Sequence, residues 1–118
     1  MTIPFFTVII TTYERAHLIE RALRSLLGQT EQDWEAIVVD DGSTDGTEHI
    51  VQRYAADDAR IRYVARDHGG SAAARNAGVH AARGLFVTFL DSDDAYAPDH
   101  LASRRAMLLA YPTVLLLH

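Results

Sequence analysis

Two stretches of this chain run from apolar residues straight into carboxylates: Ile37-Val38-Val39 into Asp40 and Asp41, and Leu85 to Leu90 into Asp91-Ser92-Asp93-Asp94. A third, apolar through Ile10, ends in Thr11-Thr12-Tyr13-Glu14. Two carboxylates about 4 Å apart repel by roughly 4 kcal/mol at an effective dielectric of 20, and a shared divalent cation relieves that repulsion. Oxygen donors without His or Cys suit Mg²⁺ or Mn²⁺, which take one or two protein carboxylates and complete their shell with water and substrate phosphates. The partner expected from such a cluster is a diphosphate. Any one Asp at a strand end also serves as turn former or helix cap; the repetition of the pattern at separate strand ends carries the inference.

The elements that must position these residues alternate. Phe5 to Thr12 reads as a buried parallel strand, too short for a helix and too continuously apolar for a half-exposed strand. From Ala16 to Leu27 the apolar residues recur at helical spacing, and Gly28 follows as a stop. Trp34 to Asp40 is a second strand, broken by Asp41-Gly42-Ser43-Thr44. Asp45 and Glu48 have the spacing of a capping box ahead of a second helix through Ile50, Val51, Tyr54 and Ala55. Ile61 to Ala65 is a short third strand, and His68-Gly69-Gly70-Ser71 opens an Ala-rich helix that runs to about Arg83. Leu85 to Leu90 is a fourth strand, Pro98 starts a fourth helix through about Ala110, and Thr113 to Leu117 reads as a fifth strand.

Strands and helices in strict alternation imply right-handed crossovers, so the class is α/β: a doubly wound, mostly parallel sheet with helices on both faces. In such sheets ligands bind beyond the carboxyl ends of the strands where strand order reverses. An order of 3-2-1-4 would make the three polar strand ends neighbours around one cleft. No linker, repeat or composition shift divides residues 1–118, so one domain is expected. The apolar run at Thr113 to Leu117 stops at His118 without turn or polar tail, and the domain is read as truncated there.

Composition removes several classes of chemistry. Of 118 residues 48% are hydrophobic and 23% charged, as in an ordinary globular domain. There is no Cys, hence no disulfide, thiol nucleophile or thiolate-bound zinc. All eleven basic residues are Arg, against sixteen acidic residues, for a formal charge of -5. Without a basic cluster there is nothing to neutralise a nucleic-acid backbone, so no nucleic-acid partner is expected. No segment approaches the roughly 20 apolar residues of a membrane span, and the N-terminus lacks the features of a signal peptide. The reading is a cytoplasmic chain, with peripheral contact at the inner face of the membrane left open. Neither G-x-G-x-x-G after the first strand nor G-x-x-x-x-G-K is present, which disfavours dinucleotide dehydrogenases and P-loop enzymes. The six His share no ligand spacing and are read as surface or capping residues.

Four blocks in order resemble the inverting nucleotide-sugar glycosyltransferases of family 2, which have the Rossmann-like GT-A fold. They are Val8-Ile9-Ile10-Thr11-Thr12-Tyr13-Glu14-Arg15, Val39-Asp40-Asp41-Gly42-Ser43-Thr44-Asp45-Gly46-Thr47, Ala74-Arg75-Asn76-Ala77-Gly78 and Phe89-Leu90-Asp91-Ser92-Asp93-Asp94. The Asp-x-Asp motif alone is weak; the ordered set at compatible spacing is specific. The resemblance implies metal-dependent transfer of a sugar from a nucleoside diphosphate sugar, UDP-linked, to an acceptor hydroxyl, as in cell-wall or polysaccharide biosynthesis. It implies that Tyr13 packs on the base, that Thr11, Glu14 and Ser92 line the nucleotide pocket, and that Asp41 accepts a base N–H, with Asp40 structural. Arg75 would reach the base or phosphates, while Asn76 fixes local backbone. Asp93 would ligate Mn²⁺ or Mg²⁺, Asp91 would hold the ribose or a metal-bound water, and Asp94 would cap or brace. The Gly69-Gly70 loop could present N–H groups to an anion.

The chain departs from the family's usual pattern at Thr11, where Pro is usual, and at Glu14, where Asn is usual. The family's domain is roughly twice as long, and its second half supplies the acceptor site and the general base. That base is expected beyond His118, leaving donor binding without turnover. Two other classes share part of this pattern. A noncatalytic module could pair its exposed sheet edge with a second copy as a homodimer. A receiver-like signalling domain also has a strand ending in Asp-Asp but needs a Lys, which this chain lacks.

Overall fold

A computed structural model describes residues 2–110. The expected fifth strand at Thr113 to Leu117 lies outside them. Four strands, β1 (Phe6–Thr12), β2 (Trp34–Asp40), β3 (Ile61–Ala65) and β4 (Phe86–Asp91), alternate with four helices, α1 (Ala16–Leu27), α2 (Thr47–Asp57), α3 (Ser71–Ala81) and α4 (His100–Ala110). The strands form one sheet in the order β3-β2-β1-β4, all parallel. This is the expected order, and its direction reverses at the β1/β4 pair.

The periodicity of each strand accounts for its two-sided burial. On one face Phe6, Val8 and Ile10 of β1 pack with Val38 of β2 against Ile19, Leu23 and Leu26 of α1, Val51 of α2, and Leu101 and Leu108 of α4. On the other face Ile9, Ile37 and Val39 meet α3 through Ala74 and Ala77. The two clusters use alternate residues of the same strands, as the two-residue period of a strand buried on both sides requires. Small residues let α3 come close: a Cβ at Gly78 would lie 2.5 Å from Cγ2 of the fully buried Ile9.

Two local expectations are corrected. The box at Asp45 and Glu48 does not form as drawn, because the N-cap of α2 is Gly46, in left-handed conformation at φ 91°. Asp45, one residue earlier, instead takes the N–H and hydroxyl of Thr47 on Oδ1 and the N–H of Ala16 on Oδ2. One carboxylate thereby serves the first turns of α1 and α2, satisfying donors that helix ends leave free. The fourth helix begins at His100 rather than Pro98, since Pro98 and Asp99 form the turn that leads into it.

Candidate functional site

An open cleft of about 380 Å³ lies at the carboxyl ends of β1, β2 and β4. The β1 end contributes Thr11, Thr12 and Tyr13, with Arg15 just beyond; β2 contributes Asp41. The segment entering α3 contributes His68, Gly70, Ser71 and Ala74, and the β4 end contributes Asp91, Ser92 and Asp93. The size suits a small-molecule ligand. Register accounts for the convergence: Thr11 is level with both Val39 of β2 and Asp91 of β4, so the three polar ends emerge at one height.

Asp41 is 4% exposed, and its carboxylate is fully engaged. Oδ1 accepts the Gly69 N–H at 3.0 Å and faces Arg66 Nε at 3.2 Å; Oδ2 accepts the Gly70 N–H at 2.9 Å and faces His68 Nδ1 at 2.9 Å. Burial opposes the charge, but the two backbone N–H groups together with His68 and Arg66 outweigh it and hold the carboxyl below the usual aspartate range. Four donors use about all the lone-pair positions a carboxylate has. Asp41 therefore anchors the 68–70 segment, and a base N–H could be accepted there only if one of these donors yielded.

Asp40 is structural, as expected: buried, with Oδ1 accepting the Ser43 N–H and Oδ2 accepting the Tyr63 hydroxyl at 2.6 Å. That bond, after burial, pushes the Tyr63 phenol well above its ordinary pKa. Glu14 is not among the residues lining the cleft; it stands behind it. Its N–H donates to Ser43 Oγ and its Oε1 accepts the N–H and hydroxyl of Thr44, tying the β1–α1 connection to the β2–α2 connection. Glu14 has φ 53°, the left-handed region that Asn tolerates better than Glu, which gives a physical reason for Asn being usual there.

Arg75 of α3 is likewise not among the residues lining the cleft; its Nη2 lies 3.8 Å from Asp91 Oδ1 and its guanidinium 5.8 Å from the centre of the Phe89 ring. Asn76 is exposed on α3 and holds no neighbouring backbone among the described residues, contrary to expectation. Ser92 is buried, whereas Asp91 and Asp93 are exposed to the cleft. Asp94 accepts the Ala95 N–H and donates its own N–H to Asp91 O, closing the turn that presents them.

No group of three or more His, Cys, Asp or Glu side chains among the described residues is arranged to hold a metal ion. Asp91 and Asp93 thus offer at most two carboxylates. That donor set fits Mg²⁺ or Mn²⁺ completed by phosphate oxygens and water, and it does not fit a cation caged by protein alone.

The cleft residues to which the sequence assigns no role include His68, Arg15 and Thr12. His68, grouped there with the surface histidines, stacks on Tyr13 with ring centres 4.3 Å apart. Arg15 is exposed beside the carboxylates. Thr12 is 3% exposed, and its buried hydroxyl lacks a hydrogen-bond partner among the described residues. Only the position of His68 beside Gly69-Gly70 could have drawn attention to it.

The family described as "Glycosyl transferase family 2" matches residues 7–116. TuaG of Bacillus subtilis (strain 168), named as a teichuronic acid biosynthesis glycosyltransferase, is 40% identical over 107 residues, covering 90% of this chain and 42% of TuaG. The crystal structure of S. aureus TarS 1-349 in complex with UDP superposes with a TM-score of 0.85 at 32% identity, over 91% of this chain and 32% of that one. The mannosyltransferase PcManGT from Pyrobaculum calidifontis, solved with GDP-Man and Mn²⁺, gives a TM-score of 0.78 at 33% identity, over 94% of this chain and 34% of its own. The chain thus spans less than half the length of each.

Proposed function

This chain belongs to glycosyl transferase family 2, and on that footing we propose that it is the donor-binding part of an enzyme that moves a sugar from a UDP-sugar to an acceptor hydroxyl with inversion. The observation that carries the reading is the single cleft in which Tyr13, Asp41, Asp91 and Asp93 meet. The relatives solved with UDP and with GDP-Man and Mn²⁺ support it.

In this reading the Tyr13 ring, 45% exposed, offers an apolar face to the base, with Thr11 beside it. Asp41 orders the 68–70 segment that borders the pocket, and accepts a base N–H if Arg66, the more distant side-chain donor at 3.2 Å, gives way. Asp91 holds the ribose or a metal-bound water, and Arg75 stands beside it to meet a phosphate. A Mn²⁺ or Mg²⁺ held by Asp93 with Asp91 would neutralise the diphosphate charge that grows as the glycosyl bond breaks. The exposed Arg15 adds positive charge on the same side. The base that deprotonates the acceptor must lie within hydrogen-bond reach of the attacking oxygen. We place it outside residues 1–118, in keeping with the 42% of TuaG that the chain spans.

Calorimetric titration of UDP with and without Mn²⁺ tests the proposal. Metal-dependent binding that is lost in Asp93→Ala is the expected result; a folded sample that binds no UDP or GDP in either condition contradicts it.

A further inference from the structure

His68 is the side chain in the cleft that joins the two groups on which the nucleotide reading depends. Its Nδ1 lies 2.9 Å from Asp41 Oδ2 and 3.1 Å from the Asp41 backbone carbonyl oxygen. Both neighbours are acceptors, so Nδ1 carries a hydrogen and donates to Asp41. The ring at the same time lies against Tyr13, 4.3 Å between centres at an interplanar angle of 32°. Its backbone is held as well: a Cβ on Gly42, which has φ 97°, would come within 3.1 Å of the His68 N, so the 68–70 segment sits directly on the turn after β2.

From these contacts we propose that His68 is a positioning residue for the nucleotide base: it occupies one side of the Tyr13 ring and, through Asp41, fixes the height of that ring over the cleft. The inference rests on the donor-binding reading above and deepens it. An exposed Tyr at a strand end would otherwise lose rotamer freedom when a base packs on it, and that ordering opposes binding. With His68 already seated on one face, Tyr13 presents the other face in a fixed orientation. Neither contact alone does this: the hydrogen bond to Asp41 gives the imidazole its direction, and the stacking transmits it.

Two substitutions separate the contacts. His68→Asn keeps an N–H donor for Asp41 but has no ring for Tyr13, and His68→Phe keeps the ring without the donor. Each should weaken UDP binding about three- to tenfold in calorimetry, the range expected from one hydrogen bond or one aromatic pair. The decisive readout is a double-mutant cycle with Tyr13→Ala. If His68 acts through Tyr13, His68→Ala weakens UDP binding in the parent but has little further effect in the Tyr13→Ala background. Equal effects in both backgrounds overturn the proposal, as does parent-like UDP affinity in either His68→Asn or His68→Phe. A parent protein that binds neither UDP nor GDP overturns the donor-binding reading itself, and this inference with it.

Discussion

A carboxylate surrounded by donors is committed to its charge, and Asp41, Glu35 and Asp45 are so placed. Glu35 of β2 is 7% exposed and lies at the amino end of the sheet, away from the cleft. Its Oε2 accepts the Thr7 hydroxyl and the Arg83 N–H, and its Oε1 accepts Arg62 Nη2 at 2.9 Å. Burial works against the charge, yet Thr7, the Arg83 N–H and Arg62 prevail, and the carboxyl sits below the usual glutamate range. A group whose pKa is depressed by folding contributes stability that is present above its unfolded pKa and is lost as pH falls through the lower folded value. Urea denaturation at stepped pH from neutrality down through the carboxylate range should therefore show falling stability, with a shallower acid limb in Glu35→Gln. An identical limb in that variant would contradict the assignment. The shared cap at Asp45 gives a second expectation. Its carboxyl is also held low, first by the Thr47 hydroxyl and then by the Ala16 N–H. Asp45→Ala should cost about 1–2 kcal/mol in denaturation, since Ala removes an acceptor from two helix starts. Such long-range partnerships were not legible in the sequence: Glu14 with Thr44 and Asp45 with Ala16 join positions about thirty residues apart. Local pattern says that an Asp or Thr will accept or donate, and only the fold says to whom.

The elements themselves were legible because their patterns are periodic and their ends are marked. Strands β1 and β2 are continuous apolar runs because both faces are covered, and such runs identify a parallel strand from local sequence alone. The misplaced details are terminal ones. Gly46, rather than the acid before it, became the cap of α2 because its left-handed φ turns the chain into the helix, a conformation glycine adopts without strain. The small residues of α3 permit its close approach, and Ala74 and Gly78 are buried against the sheet. There the Gly78 position leaves no room for a methyl group. Gly78→Ala should destabilise the domain by about 1–3 kcal/mol through overpacking against Ile9, despite the higher helix propensity of Ala. Unchanged stability in thermal or urea unfolding would mean that α3 can move away from the sheet.

At the scale of the molecule, the strand order brings distant stretches of chain to one cleft. With β1 central, flanked by β2 and β4, the ends at Thr11, Asp41 and Asp91 become neighbours although they are widely separated in sequence. The polar strand ends supplied the expectation of that order, and continuous apolar runs supplied the strands. The internal economy of the cleft needed coordinates: Asp41 spent on the 68–70 segment, Glu14 turned away, and His68 seated on Tyr13. No helix of the described residues is long and apolar enough to cross a membrane. The central claim is that one ligand, a nucleoside diphosphate with its metal ion, spans the cleft from Tyr13 to Asp93. Titrating UDP into the parent, Tyr13→Ala and Asp93→Ala proteins with Mn²⁺ present addresses that claim most directly. The account predicts weakened binding in both variants, with the response to Mn²⁺ lost only in Asp93→Ala; parent-like affinity and metal response in both would contradict it.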